Sequence, residues 1–302
     1  MPHPPTWFEG FDARRIPVDG IEIAAHVGGR SDRPPLVLLH GFPQTHAMWH
    51  RVAQRLRDDF FLIMPDLRGY GDSGKPRGGA DHAAYSKRRM AADVIAVADA
   101  LDIGRFNLCG HDRGGRVAHR LALDHADRVE RLCVIDIAPT LDMYERTDMA
   151  FASAYYHWFH LIQPEPLPEK MIGGDPVEYL HTKLGRWGGQ GLRHIEPAAM
   201  AEYERCFCTP EGIHGACEDY RASAGIDLEL DRASRAGGQH LACDMLVLWG
   251  ERGVVNRLFR PLELWQACCT GHVEGRTMPA GHYIPEELPE DTAEALRQFF
   301  SQ

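Results

Sequence analysis

Residues 106–115 constrain the fold of this chain more than any other segment. An apolar run at 106–109 leads into the pattern Gly-x-Asp-x-Gly-Gly at 110–115, and residues 116–123 then show apolar positions at helical spacing. This order predicts a buried strand, a sharp turn and a helix, the arrangement known as a nucleophile elbow. The glycines are needed because the strand and helix backbones approach each other closely at such a turn.

Asp112 occupies the apex of the predicted turn. A hydroxyl at this position would need a base to activate it, whereas a carboxylate is already ionised at pH 7. An ionised carboxylate is suited to displacement at a saturated carbon, which forms an ester with the protein. Asp112 is therefore predicted to be a covalent nucleophile, and the structural alternative is an aspartate that only caps the helix.

Strand-like and helix-like segments alternate on both sides of the elbow. A hairpin is expected around Asp19-Gly20, and further strands are expected at 36–39, 60–64, 106–109, 132–137, 245–250 and 273–277. Helices are expected at about 47–56, 86–101, 113–125, 259–267 and 291–300. The alternation predicts an α/β fold with a mostly parallel central sheet and helices on both faces.

The pattern changes between about Pro139 and Gly238. Strand-like runs are missing there, while aromatic residues, prolines and glycines are frequent. We interpret this stretch as an inserted helical cap over the carboxyl edge of the sheet. The expected division is a core of residues 1–138 and 239–302 and a cap of residues 139–238.

The charge and cysteine content limit the classes of partner. The formal net charge is −10 with 17 histidines counted as neutral, so neither a nucleic acid nor an anionic membrane is an expected partner. An anionic substrate would need a local basic cluster to attract it. The eight cysteines lack the spacing of a disulfide framework, and no apolar run approaches 18 residues. We therefore expect a cytoplasmic protein with reduced thiols.

Two further candidate residues follow predicted strands, where open α/β sheets place their sites. His282 follows the last strand and fits the chain order of nucleophile, acid and histidine, so it is expected to take a proton from water. Asp136 ends the strand after the elbow and is the preferred orienting acid. Glu251, after the next strand, is the alternative and is otherwise interpreted as a local salt-bridge residue.

The backbone N–H groups of Phe42 and Arg113 form the predicted oxyanion hole. The side chains of Arg113 and Arg116 lie at i and i+3 in the first turn of the elbow helix, where a cation opposes the helix dipole by about 0.3–1 kcal/mol. That cost indicates a use, namely a bidentate grip on a substrate carboxylate. The structural alternative is an ion pair with a nearby acid such as Asp66 or Asp72.

The predicted cap contains several aromatic hydrogen-bond donors. His157, Trp158, Trp187 and Tyr220 carry N–H or O–H groups, although aromatic residues in a cap more often serve packing. His157-x-x-His160 has a spacing that metal sites use, but no third ligand has a fitting spacing and no His-Glu-x-x-His motif occurs. No metal or other cofactor is expected.

Taken together, these motifs resemble the fluoroacetate (haloacetate) dehalogenases of the α/β-hydrolase superfamily. The matching segments are 40–45, 110–116, 134–137, 156–158, 218–222 and 281–282. The likeness covers nearly the whole chain. His-Asp-Arg-Gly-Gly-Arg at 111–116 together with the His-Trp pair of the cap is specific, whereas the His-Gly-x-Pro loop at 40–43 is shared with epoxide hydrolases.

The resemblance implies roles for the catalytic residues. Asp112 would be the nucleophile, His282 the base and Asp136 its partner, while Arg113 and Arg116 would hold the carboxylate of a small haloacid. Hydrolysis would give glycolate and halide.

The resemblance also implies roles in the cap and an assembly. His157, Trp158 and Tyr220 would surround the departing halide, and Trp187 would form a wall of the pocket. The family likeness further implies a homodimer.

Two other functions compete with this one. An epoxide hydrolase would share the nucleophile and base, and two of Tyr155, Tyr156 and Tyr220 would protonate its leaving alkoxide. Two arginines beside the nucleophile serve little purpose for a neutral epoxide. The second alternative is a receptor that binds a small acid without turnover.

Overall fold

The computed structural model of the protein describes residues 8–187 and 191–302. Its centre is a single eight-stranded sheet with the strand order β1-β2-β4-β3-β5-β6-β7-β8. The strands are β1 Phe11–Val18, β2 Ile21–Gly29, β3 Pro35–Leu39, β4 Phe61–Pro65, β5 Phe106–His111, β6 Val129–Ile135, β7 Asp244–Gly250 and β8 Val273–Met278.

The sheet is mostly parallel, as the sequence predicts. Strands β3 to β8 pair in parallel with their neighbours, while β2 runs antiparallel to both β1 and β4. The hairpin around Asp19-Gly20 is confirmed, and both turn residues have positive φ, as a two-residue hairpin turn requires. Strand β1 begins at Phe11 with mostly exposed residues, while β2 continues to Gly29 and buries alternate residues.

The helices of the described residues lie between the strands along the chain and form most of the segment between β6 and β7. In chain order they are α1 His50–Leu56, α2 Lys87–Ala100, α3 Arg113–Asp124, α4 Thr140–Glu145, α5 Met149–Ala154, α6 Tyr156–Leu161, α7 Leu167–Gly173, α8 Pro176–Trp187, α9 Pro197–Phe207, α10 Pro210–Ala224, α11 Ile226–Ala236, α12 Val254–Leu258, α13 Pro261–Gln266, α14 Ile284–Glu287 and α15 Pro289–Phe300.

Two helix predictions differ from the structure in detail. The helix expected at 47–56 is a 3-10 turn, His46–Trp49, followed by α1. The helix expected at 259–267 starts only at Pro261, because proline favours the first helical position, where no N–H is needed.

Helices α4 to α11 occupy the interval between β6 and β7, and no strand of the sheet comes from the described part of that interval. This is where the sequence predicts the cap. Side chains on these helices reach core residues, for example from Tyr203 in α9 to Glu286 in α14. The bounds 139–238 stay a prediction, and residues 1–7 and 188–190 of the predicted division lie outside the described residues.

The central strands are buried on both faces. Leu36, Leu38 and Leu39 in β3 are each 0% exposed, which explains why this strand is a continuous apolar run instead of an alternating one. No helix among the described residues is both long enough and apolar enough to cross a bilayer.

Candidate active site

The elbow forms as predicted at the carboxyl end of β5. Strand β5 ends at His111, α3 begins at Arg113, and Asp112 between them has a φ of 47°. A Cβ atom on Gly114 would lie 2.4 Å from the carbonyl oxygen of His40, so only glycine fits there. The side chain of Asp112 makes no capping hydrogen bond to α3, which argues against the helix-cap alternative.

The Asp112 carboxylate is buried and has two distinct oxygens. Oδ1 accepts a hydrogen bond of 2.9 Å from the backbone N–H of Phe42. Oδ2 lies 3.9 Å from Nε2 of His282. Burial by itself would raise the pKa of Asp112, but the charges of His282, Arg113 and Arg116 lower it below 3.8. Asp112 is therefore an ionised group. Its Oδ1 is held by a hydrogen bond, and its Oδ2 faces Nε2 of His282.

His282 is oriented by Asp136. Nδ1 of His282 lies 2.6 Å from Oδ2 of Asp136, whose Oδ1 accepts a hydrogen bond of 2.9 Å from the N–H of Gly250. An ionised carboxylate only accepts, so Nδ1 carries the proton and Nε2 faces Asp112 as an acceptor. Glu251 is exposed and forms no ion pair within the described part of the chain. The structure thus brings Asp136, and not Glu251, to the histidine.

Opposing effects set the pKa of His282. Burial lowers it, while the hydrogen bond to Asp136 and the charges of Asp136 and Asp112 raise it, and the net result is a pKa above 6.5. The same carboxylate that fixes the tautomer therefore also stabilises the protonated ring.

Arg113 is fully buried and pairs with Asp219 of α10. Nε and Nη2 donate to the two Asp219 oxygens across 2.9 and 2.8 Å. The alternative pairing with Asp66 or Asp72 is therefore wrong. The expected bidentate grip of Arg113 on a substrate needs correction too, since Asp219 already occupies that edge of the guanidinium. Only Nη1 is buried without a partner.

Asp219 is a site residue that sequence reasoning did not identify. Besides Arg113, it accepts hydrogen bonds from the hydroxyl of Tyr70 at 2.5 Å and from the ammonium of Lys87. Burial would raise its pKa, but the two cations lower it far below 3.8. The only signal in the sequence was its place in the matching segment at 218–222, directly before Tyr220.

Arg116 is buried without a carboxylate among its hydrogen-bond partners. Its nitrogens reach the carbonyl of Ala138 at 3.3 Å, the hydroxyl of Thr140 at 2.8 Å and the sulfur of Met143 at 3.3 Å, and Nε has no partner. The guanidinium carbon lies 4.7 Å from the centre of the Trp158 ring. Burial lowers the pKa of Arg116 below 12.5. Burying a cation without an anionic partner is costly, so an anionic ligand bound beside Arg116 would stabilise it.

The four aromatic residues predicted in the cap meet above the Phe42 loop. The His157 ring centre lies 5.8 Å from that of Phe42, 5.5 Å from Tyr220 and 4.6 Å from Trp187, and Trp158 lies 6.4 Å from Tyr220. Nδ1 of His157 and the hydroxyl of Tyr220 are buried without a partner. Each such group costs about 1–3 kcal/mol unless a ligand satisfies it.

A family model for the alpha/beta hydrolase fold matches residues 34–287. The chain belongs to this family. A fluoroacetate dehalogenase from Burkholderia sp. is 44% identical over 97% of this chain and 95% of that protein. A soluble epoxide hydrolase from Corynebacterium sp. (strain C12) is 32% identical over 88% and 90% of the two chains.

The same similarity is found among solved structures. A crystal structure from Nostoc sp. PCC 7120, provisionally named an alpha/beta hydrolase, shares 47% of its residues with this chain. It superposes with a TM-score of 0.94 and covers 98% of this chain and 99% of its own.

Within this alpha/beta hydrolase, the tyrosines considered for epoxide opening are not equivalent. Tyr156 is 37% exposed, and its ring lies against the Lys183 ammonium. Burial, and to a smaller extent the charge of nearby carboxylates that include Asp112, raises the pKa of both Tyr155 and Tyr220. Two buried tyrosines thus lie in the site, so these residues alone do not separate the two chemistries.

Within residues 8–187 and 191–302, no group of three metal-ligand side chains includes His157 or His160. Among the described residues, the histidines and acids close enough to share an ion are Glu165, Glu169 and His214, away from Asp112. Arginines already pair with both glutamates there, at 3.0 Å for Glu165 and 2.7 Å for Glu169.

Proposed function

We propose that this chain is a hydrolytic haloacetate dehalogenase that converts fluoroacetate or chloroacetate to glycolate and halide. The observation that carries the proposal is Arg116, a buried cation beside the Asp112 carboxylate that has no carboxylate of its own. A small haloacid would supply that anion and would bring its α-carbon to the nucleophile. The similarity to a fluoroacetate dehalogenase supports the same substrate class.

In the first step, Oδ2 of Asp112 attacks the α-carbon from the side opposite the halogen. The new C–O bond forms as the C–halogen bond breaks, and the halide leaves with the bonding electron pair. Arg116 and Nη1 of Arg113 hold the carboxylate so that the three reacting atoms are in line. Asp219 in turn fixes the Arg113 guanidinium by two hydrogen bonds.

The departing halide gains charge during this step. The Nδ1 edge of His157 and the hydroxyl of Tyr220 are unpartnered in the described structure, and they serve as donors together with Trp158. Trp187 closes the pocket beside them. Burial and nearby cations keep the pKa of His157 well below 6.5, so the ring is neutral and has one N–H to offer. Such preorganised donors matter most for fluoride, whose charge is concentrated.

In the second step, a water molecule hydrolyses the Asp112 ester. Nε2 of His282 takes one proton from the water, whose oxygen attacks Cγ of Asp112. The carbonyl oxygen that becomes negative is the one already held by the Phe42 N–H, with the free N–H of Arg113 at the start of α3 as the second donor. Asp136 stabilises the imidazolium until its proton passes to the departing glycolate oxygen.

The second candidate function is epoxide hydrolysis, favoured by the buried pair of Tyr155 and Tyr220 and by the similarity to a soluble epoxide hydrolase. Epoxide hydrolysis leaves Arg116 without a role, because an epoxide is neutral. Incubation with fluoroacetate, chloroacetate and styrene oxide separates the two. Halide release without diol formation is the expected result, and diol formation alone would reject our proposal.

A reaction in oxygen-18 water tests whether the Asp112 ester forms. Multiple turnovers should place the label in Asp112, because the water oxygen that attacks Cγ stays in the carboxylate when glycolate departs with the former Oδ2. Label in glycolate alone, with an unlabelled Asp112 peptide, would rule out the covalent route.

We further propose a cytoplasmic homodimer in which residues 139–238 act as the cap of a core formed by 1–138 and 239–302. The large hydrophobic side chains exposed among the described residues support a contact between copies, since all of them fall at 149–177: Met149, Tyr156, Leu167, Met171 and Val177. Light scattering of the purified protein tests the dimer, and a monomer at micromolar concentration would reject it.

A further inference from the structure

A cavity of about 220 Å³ joins the protein surface to the base of the site. His282 and Tyr155 line its inner end and are buried. Arg186, Arg252 and Arg257 line the same cavity and are exposed. Because exposed and buried residues share one cavity, a small molecule that follows it from solvent arrives beside His282.

Trp187 marks the border between this cavity and the aromatic pocket. Its ring centre lies 5.7 Å from that of His282 and 4.6 Å from that of His157. Its carbonyl oxygen accepts a hydrogen bond of 2.9 Å from the backbone N–H of His282. The cavity is thus the outer continuation of the site described above.

The arginines come from separate segments, and they differ in how they are held. Arg252, which follows β7, donates to the carbonyl of Pro279 at 2.8 Å and lies 3.2 Å from the Glu287 carboxylate. Arg186 near the end of α8 and Arg257 in α12 have no ion pair with any carboxylate in residues 8–187 and 191–302. The mouth of the cavity therefore has a positive charge that the described acids only partly balance.

Such a local charge has a physical consequence in a chain with a net charge of −10. The overall field repels anions, but at 0.1 M salt it is screened beyond about 10 Å, so the charges at the mouth decide what an approaching ion meets. A cleft lined by charges of one sign raises the local concentration of the opposite ion by about 10 to 10³-fold.

We propose that Arg186, Arg252 and Arg257 form an anion vestibule, a second anion-binding site that captures the substrate carboxylate before it passes Trp187 to reach Asp112. The inference rests on the proposed function in so far as the substrate is a carboxylate. The vestibule acts before the chemistry, so it changes substrate capture and leaves the chemical step unchanged.

The test is the double variant R186Q/R257Q, assayed with chloroacetate at low and high ionic strength. Arg252 is left in place because its contact with Glu287 supports the loop that carries His282. We expect KM to rise about tenfold at low ionic strength while kcat stays within about twofold, and we expect the difference to shrink to about twofold or less in 0.5 M salt. The variant R186K/R257K keeps both charges and should keep the original KM.

The matched control is R14Q/R105Q, which removes two exposed arginines at positions outside the cavity lining. It changes the net charge equally and should leave KM unchanged. Equal KM values for R186Q/R257Q and the unmodified enzyme at low ionic strength would overturn the vestibule, as would an equal rise in the control.

A titration with acetate, monitored by tryptophan fluorescence, tests the vestibule without any turnover. Weaker acetate binding by R186Q/R257Q than by the control supports the vestibule, and equal binding rejects it. If the unmodified chain releases no halide from any haloacetate, the proposed function fails, while the acetate measurement still decides on the vestibule.

Discussion

The substitution Asp219→Asn tests whether Asp219 positions the Arg113 guanidinium for substrate binding, because it leaves Arg113 itself in place. The asparagine keeps the size of the side chain and removes its charge, so one buried anion is lost from a cluster that also contains Arg113, Lys87 and Asp227. Arg113 and Asp219 are both 0% exposed, so water cannot replace the lost partner without opening the structure.

The magnitude follows from this burial. Removing one partner of a buried ion pair costs about 3–5 kcal/mol, because the other charge stays buried and uncompensated. Lys87 retains Asp227 at 3.5 Å, which places the expected loss near the lower bound, at about 3 kcal/mol. The freed Arg113 guanidinium would also lose its fixed direction, and we expect KM for chloroacetate to rise about tenfold, equivalent to about 1.4 kcal/mol.

Urea unfolding at pH 7 measures the loss of stability, and steady-state halide release from chloroacetate measures the rise in KM. The lowered pKa of Asp219 means that its stabilising effect is present above about pH 3.8 and is lost as the pH falls below that value. The difference in unfolding free energy between the variant and the unmodified protein should therefore become smaller below about pH 3.8. Asp12→Asn, at an exposed ion pair with Arg14, is the control and should cost about 0–1 kcal/mol.

An Asp219→Asn protein that loses less than about 1 kcal/mol of unfolding free energy at pH 7 and keeps its KM would refute this role of Asp219. A large loss of stability with an unchanged KM would show that Asp219 supports the fold but does not position Arg113.

Three other predictions follow from the site and the buried acids. His282→Gln should release one halide per active site and then stop with an esterified Asp112, which mass spectrometry would detect; continued turnover would exclude His282 as the base. Arg116→Met should weaken substrate capture, seen as a rise in KM of about 10- to 100-fold for a lost charge-assisted contact, and an unchanged KM would exclude it as the carboxylate site. Burial raises the pKa of Glu286 from 4.5 to about 8, so the folded state keeps a proton that the unfolded state releases, and stability should fall by up to about 1.4 kcal/mol per pH unit between these values. Glu286→Gln should remove this slope in urea unfolding at pH 5.5 and 7.5, and an unchanged slope would show that the group is ionised when folded.

The sequence by itself determined the elbow, the order of strands and helices along the chain, and the place of Asp112 at the apex of the turn. These features depend on neighbouring residues: apolar runs for buried strands, helical spacing for α3, and the glycine that the close backbone approach at Gly114 demands. The position of Asp112 could be predicted because the turn at whose apex it lies has a local sequence pattern. A two-residue hairpin at Asp19-Gly20 was readable for the same reason.

Only the tertiary structure decided where the charges of the site go. Arg113 pairs with an acid 106 residues away, and neither Asp66 nor Asp72 was the partner although both are closer in sequence. The choice of Asp136 over Glu251 likewise depended on which strand end faces His282. No local pattern encodes such pairings. They depend on the tertiary contacts that bring Asp219 of α10 to Arg113 and on the convergence of strand ends at one edge of the sheet.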